Sequence, residues 1–197
     1  RDEVHELDET GEKQRAEKGF VRILLLKTRR FGGSTYIEAR FYWRTSLTPN
    51  RNTFIVGHEE ESTRTLYQMA QLIHERNEIK PTTKTSNAQE IIFDTPAGDG
   101  LKSQYRLATA RNLSAGRSQG VHYLHDSEEG FWPDADTLLS GLLACLPPPG
   151  SGVETEVFRE STANGFGNTF QRDVFAAYEN GMHPYYHQDG RAYAWSS

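Results

Sequence analysis

An unbroken apolar run, Ile23-Leu-Leu-Leu26, leads directly into Lys27-Thr-Arg-Arg-Phe-Gly-Gly-Ser-Thr35. A segment of helical spacing follows, in which Ile37, Phe41 and Trp43 or Arg44 step along one side. A run this apolar reads as a buried strand. Strand, glycine turn and helix in that order form a phosphate cradle: backbone N–H groups at the turn point inward, and the helix start adds partial positive charge. Ser34 sits where a hydroxyl can reach a magnesium ion.

The match to the common phosphate-loop pattern G-x-x-x-x-G-K-[ST] is incomplete. Gly32 and Ser34 fit it, Gly33 occupies the lysine position, and Lys27 occupies the first glycine position. The available cations are therefore Lys27, Arg29 and Arg30, at the front of the loop. The same residues also suit an ordinary strand-to-helix turn whose basic side chains face water.

Downstream, strand-like and helix-like segments alternate. Thr53–Val56 reads as a short buried strand. A helix with Ser62 as candidate N-cap follows it, with Leu66, Met69, Ala70 and Ile73 at core spacing. Glu90–Phe93 and Gln104–Leu107 read as a hairpin or adjacent strands. Ala110–Gly120 is small, polar and basic; it suits a mobile element from which Arg117 reaches phosphate, or a solvated surface loop. Val121–Leu124 reads as a strand running into the acids of His125-Asp-Ser-Glu-Glu129. A strand tip with such acids is where an ATPase places its magnesium-associated acid and its water-activating glutamate. His122 and His125 fall on opposite faces of a strand, which argues against a shared metal. Leu138, Leu139, Leu142, Cys145 and Leu146 line a helix that Pro147-Pro-Pro-Gly150 stops. Val153–Phe158 reads as a strand leading into Glu160-Ser-Thr-Ala-Asn-Gly165, and a last helix carries Phe170, Val174 and Ala177 or Tyr178.

This alternation predicts an α/β protein, a three-layer sandwich around a largely parallel central sheet. Ligands in such folds sit at the carboxyl ends of the strands, so the Lys27–Thr35 loop, the Asp126–Glu128 acids and the Ser161–Gly165 turn should gather at one edge. The chain of 197 residues suits one domain with a full core. The expected boundaries are a charged segment over 1–19, the domain over 20–180 and a polar tail over 181–197. A net charge of −5 supplies no global basic field, so nucleic-acid contact would need a local patch. The single cysteine excludes an internal disulfide. No run is long enough to span a membrane.

Four segments in order resemble the ATPase half of phage large terminase subunits, the motors that package DNA into procapsids. They are Leu26–Thr35; Gly57-His-Glu-Glu-Glu-Ser-Thr63; Ala115-Gly-Arg-Ser118 leading to His125-Asp-Ser-Glu-Glu-Gly-Phe-Trp-Pro133; and Glu160-Ser-Thr-Ala-Asn-Gly-Phe-Gly-Asn168. The resemblance implies a P-loop NTPase fold (ASCE-like) with ATP and Mg2+ as cofactors. It also implies a nucleotide-binding set of Lys27, Arg29, Arg30, Gly32, Gly33, Ser34 and Thr35, with a basic residue at the loop's front serving the phosphates. By the same resemblance, Glu128 is the catalytic glutamate and Arg117 a basic residue acting on the γ-phosphate, in the same or a neighbouring subunit. Ser161, Thr162, Asn164 and Gly165 are the coupling motif. Ser127 stands in the place of the usual magnesium-side aspartate with Asp126 one residue early, so the metal set is Ser34 with Asp126 or Ser127. The implied partners are double-stranded DNA, a portal and a small terminase subunit, in a homo-oligomeric ring within the cytoplasm of an infected bacterial host and away from membranes. A complete large terminase also carries a C-terminal nuclease domain, and the tail is then the start of a linker to it. Two alternatives stay open: a nucleotide- or DNA-binding module of terminase origin without hydrolysis, and another P-loop DNA-dependent ATPase such as a helicase.

Overall fold

Parallel strands are covered by helices on both faces, and five segments of this chain build the parallel middle of one sheet. The computed structural model describes residues 5–7, 13–15, 20–111, 120–148, 151–179, 183–187 and 190–195, with side chains described between 21 and 179. In chain order the elements are β1 (His5–Leu7), β2 (Lys13–Arg15), β3 (Phe20–Leu26), α1 (Gly33–Leu47), β4 (Asn52–Gly57), α2 (Glu60–Arg76), β5 (Thr85–Ser86), β6 (Glu90–Phe93), β7 (Ser103–Thr109), β8 (Tyr123–Ser127), a 3-10 turn (Glu129–Phe131), α3 (Ala135–Leu143), β9 (Thr155–Ser161), α4 (Thr169–Glu179), β10 (His183–His187) and β11 (Gly190–Trp195).

The main sheet runs β10-β11-β3-β9-β8-β4-β7-β6-β5. Its centre, β3-β9-β8-β4-β7, is parallel throughout, and the flanking strands are antiparallel. β1 and β2 form a separate antiparallel hairpin. The strand that feeds the glycine loop, β3, is thus separated from the acidic strand β8 by β9, the last of the five parallel strands in chain order.

Alternation along the strands divides the core into layers. On one face, Ile37, Phe41 and Tyr42 of α1 and Leu66, Tyr67 and Ala70 of α2 pack on Ile55, Tyr105, Tyr123 and Phe158. On the other face, Leu139 and Leu142 of α3 and Trp132 pack on Phe54, Val56, Leu124 and Val157, while Phe170, Val174 and Ala177 of α4 cover Leu24. This is the expected three-layer α/β sandwich. Phe41 pins α1 across two strands, stacking on Tyr123 at 5.5 Å and meeting Phe158 edge-on at 5.4 Å. A fully buried side chain of this size contributes about 1.5–3 kcal/mol. No helix among the described residues is long and apolar enough to cross a membrane.

Several local expectations change. Trp43 is exposed, and Arg44 is the residue that turns inward, over the Tyr123 ring and onto Glu156. α2 begins after Glu59, whose carbonyl accepts the Ser62 hydroxyl, so Ser62 lies in the first turn. The acidic strand is Tyr123–Ser127 rather than Val121–Leu124, so Asp126 and Ser127 lie within it. The next strand extends to Ser161, placing Glu160 and Ser161 in the sheet. Segment 181–197, expected as a polar tail, contributes β10 and β11, and β11 pairs with β3.

Candidate functional site

The loop between β3 and α1 ends on Gly32 with φ +84°, the left-handed turn that starts the helix at Gly33. Gly33 has little space: a Cβ there would stand 3.0 Å from Leu25 Cδ2, so a lysine at this position would need its neighbours to shift. The positive charge comes instead from Lys27, whose backbone N–H donates to the Ser161 carbonyl at 3.1 Å. Its ammonium donates to Ser34 Oγ at 2.9 Å and Glu160 Oε1 at 3.1 Å, and stands 3.5 Å from Glu128 Oε1. Arg29 and Arg30 are exposed, Arg30 with φ +62°. Thr35 is exposed on the first helical turn, with its hydroxyl toward Met69 Sδ at 3.6 Å.

Glu128 leaves the end of β8 with φ +52°, a left-handed conformation uncommon outside glycine. Thr162 fixes its carboxylate twice, through N–H at 3.0 Å and Oγ1 at 2.9 Å. The rest of the turn is tied to the same place. Ser161 Oγ accepts from Gly130 N at 3.1 Å, Asn164 Nδ2 donates to the Gly130 carbonyl at 2.8 Å, and Gly165 supplies a φ of +69°. Trp132 Nε1 donates to the Ser127 carbonyl at 3.0 Å and anchors the strand end from below. Lys27, Ser34, Ser127, Glu128 and Thr162 therefore meet at one edge. Arg117 lies outside the described residues.

Asp126 does not join them. It alternates with His125 and Ser127, on the side of Leu124 and the α3 layer. It is fully buried, neither carboxylate oxygen has a hydrogen-bond partner, and burial pushes its pKa well above the usual carboxylate range. Asp126 as a magnesium ligand is thereby overturned: it faces the other side of the sheet, away from Ser34 and Glu128. Asp126→Asn is expected to change nucleotide hydrolysis less than about twofold, because the isosteric amide replaces a side chain that lies away from the site. Steady-state hydrolysis checks this, and a tenfold loss would return Asp126 to the site.

The carboxylate that does reach the loop is Glu160. Its Oε1 accepts from Ser34 Oγ at 2.7 Å and from Ser127 Oγ at 3.2 Å, besides Lys27. Behind it, His125 Nε2 stands 3.1 Å from Glu160 Oε1, and His125 Nδ1 is 2.6 Å from Glu38 Oε1. The Tyr105 hydroxyl donates to Glu38 Oε2. Burial alone would lower the His125 pKa, but Glu160 and Glu38 override it and raise it to about 10. Burial alone would raise Glu160, but His125, Lys27 and Ser34 hold it at about 2. The fully buried line Glu38–His125–Glu160 thus sets an imidazolium against the Glu160 carboxylate, with Glu38 at its other ring nitrogen. Glu38 lies four residues after Ser34, on the same side of α1. Sequence reasoning gave none of these three a role. The one available signal was that Glu38 interrupts the buried face between Ile37 and Phe41.

As a cation site, the edge offers only oxygen: the Ser34 hydroxyl and the Glu160 and Glu128 carboxylates. That donor set suits a hard cation such as magnesium. Glu160 Oε2 is buried without a hydrogen-bond partner and would lie 3.8 Å from a Cβ on Gly33, so it faces the loop.

No protein-family model matches the chain, and no curated protein matches it. Solved structures do match. The chain is similar to the large terminase of a thermophilic bacteriophage (11% identity, TM-score 0.58, covering 78% of this chain and 36% of that one). It is similar to the large terminase of bacteriophage HK97 (13% identity, TM-score 0.61, 82% and 33% covered). It is also similar to the large terminase ATPase domain of a Thermus phage (12% identity, TM-score 0.59, 91% and 72% covered). The chain spans about a third of the first two proteins.

Proposed function

We propose that this chain, whose fold is that of phage large terminase ATPase domains, hydrolyses ATP to drive double-stranded viral DNA into a procapsid. The observation that carries the reading is the Glu128 carboxylate, held by Thr162 and facing Lys27 and Ser34 at the mouth of the glycine loop. Backbone N–H groups at the start of α1 receive phosphate oxygens. Magnesium, when bound with the nucleotide, neutralises charge developing on the phosphates. Glu128 orients and polarises the attacking water, and Thr162 sets the direction of its carboxylate. The Ser161–Gly165 turn, bonded to Glu128 and Gly130, relays the state of the γ-phosphate to the rest of the fold. DNA, a portal, a small terminase subunit and further copies in a ring belong to this reading as partners. An infected bacterial cytoplasm belongs to it as the location, and Arg117 as a γ-phosphate contact.

A second reading, a module that binds nucleotide without hydrolysing it, draws on Gly33 in the lysine position. An ATPase assay with and without double-stranded DNA separates the two: hydrolysis stimulated by DNA supports the motor, and nucleotide binding without turnover supports the module. Gly33 cannot supply charge, yet γ-phosphoryl transfer needs positive charge around its oxygens. Alanine replacements are therefore expected to rank Arg29 and Lys27 well above Arg30 in lost hydrolysis, by about tenfold or more. Equal and small losses from all three would make the stretch a basic turn.

A further inference from the structure

Glu160 stands in register with Leu25 of β3 on one side and Ser127 of β8 on the other. Ser127 holds the position expected for a magnesium-side carboxylate, and it presents a hydroxyl. That hydroxyl donates to Glu160, as does Ser34 from the loop. The carboxylate has thus moved one strand toward the loop, about 4.8 Å in a sheet. Glutamate is one methylene longer than aspartate, and the small Ser127 leaves it room.

Two observations make this more than a buried ion pair. The first is Glu160 Oε2, which is buried with no hydrogen-bond partner. Such an oxygen is costly to keep. Its neighbour Oε1 accepts hydrogen bonds from Lys27, Ser34 and Ser127 and stands 3.1 Å from His125 Nε2, so the arrangement holds the carboxylate in place while leaving one oxygen for another ligand. The second is convergence: three oxygens, from Ser34, Glu160 and Glu128, surround a single cationic atom, Lys27 Nζ. Among the described residues no group of three or more His, Cys, Asp or Glu side chains could hold a metal. Two carboxylates and a hydroxyl suit a cation that arrives with phosphates, since magnesium is ordinarily held by one or two carboxylates plus substrate oxygens.

We propose that Glu160, projecting from β9, is the carboxylate that takes up the divalent cation beside Ser34. The Lys27 ammonium is a tethered cation that competes for the same oxygens. Uptake of magnesium with ATP displaces that ammonium from Glu160 and frees it for the phosphates. The inference rests on reading the loop as a nucleotide site.

The test measures Mn2+ binding by electron paramagnetic resonance, and binding of a fluorescent ATP analogue with and without Mg2+. Glu160→Gln is expected to weaken Mn2+ binding in the nucleotide complex at least about tenfold, with metal-free analogue affinity kept within about threefold. Adding Ser127→Asp to Glu160→Gln returns a carboxylate to β8 and should restore most of the loss. Lys27→Met should tighten Mn2+ binding without nucleotide, because the competing cation is gone. Circular dichroism monitors folding; if Glu160→Gln does not fold, Lys27→Met decides. Unchanged Mn2+ affinity in the folded variants overturns the assignment while leaving the nucleotide reading intact. Failure of the wild-type chain to bind the analogue under either condition overturns the nucleotide reading itself.

Discussion

Glu128→Gln is expected to bind ATP as tightly as the wild-type chain and to lose hydrolysis by about 10²–10⁴-fold, the range for removing a general base. The structure makes this substitution informative. Glutamine matches glutamate in shape, so its amide oxygen can still accept from the Thr162 N–H that now holds Oε2 at 3.0 Å. The backbone at Glu128 stays left-handed in either case, a conformation that costs on the order of 1–3 kcal/mol and is concentrated at functional sites. What disappears is negative charge where the attacking water must be polarised. Turnover measured with saturating nucleotide and DNA, beside analogue affinity, reads the two effects separately. Hydrolysis at the wild-type rate would remove Glu128 from the chemistry. Loss of affinity in step with turnover would make it a binding group.

His125→Leu is expected to destabilise the fold by about 3–5 kcal/mol, the cost of removing one partner from a buried ion cluster. His125 is fully buried between Glu38 and Glu160, and both carboxylates are fully buried as well. Leucine fills similar volume, so packing loss is small and the effect isolates charge. Without the imidazolium, Glu38 keeps the Tyr105 hydroxyl and Glu160 keeps Lys27, Ser34 and Ser127, but nothing separates the two acids. Urea denaturation at neutral pH measures the change. A loss under about 1 kcal/mol, the scale of an exposed pair, would mean that His125 and Glu160 do not act as a buried ion pair.

The layers and the glycine loop were legible in the sequence because Ile23–Leu26, Thr53–Val56 and the helix positions Leu66, Ala70, Leu139, Leu142, Phe170 and Val174 follow plain periodicities. The ends of β8 and β9 were not. His125, Asp126, Ser127, Glu160 and Ser161 are polar but buried, and a polar residue in a local pattern signals a strand's end. Their burial is made possible by partners far along the chain: Glu38 for His125, and Ser34 and Lys27 for Glu160. The placement of β9 between β3 and β8 is likewise a pairing fact that no local stretch carries. The Asp126 assignment failed for a related reason: once the strand extends through Ser127, alternation sends Asp126 to the α3 side. Glu128 and Thr162 were nominated from the resemblance, and their contact is visible only in three dimensions.

The end of β9 also constrains how the gene can drift. Glu160 faces the loop, while Ser161 and Arg159 face the opposite layer, where Arg159 grips Glu129 through both carboxylate oxygens. A codon inserted or deleted within Thr155–Ser161 would exchange those faces, putting a hydroxyl under the loop and a carboxylate against the Arg159 layer. Point changes can accumulate in this strand while its reading length stays fixed. Divergent homologues should therefore align without gaps from Thr155 to Thr162, and tolerate length changes again only beyond Asn164, where the exposed Phe166 sits between Gly165 and Gly167.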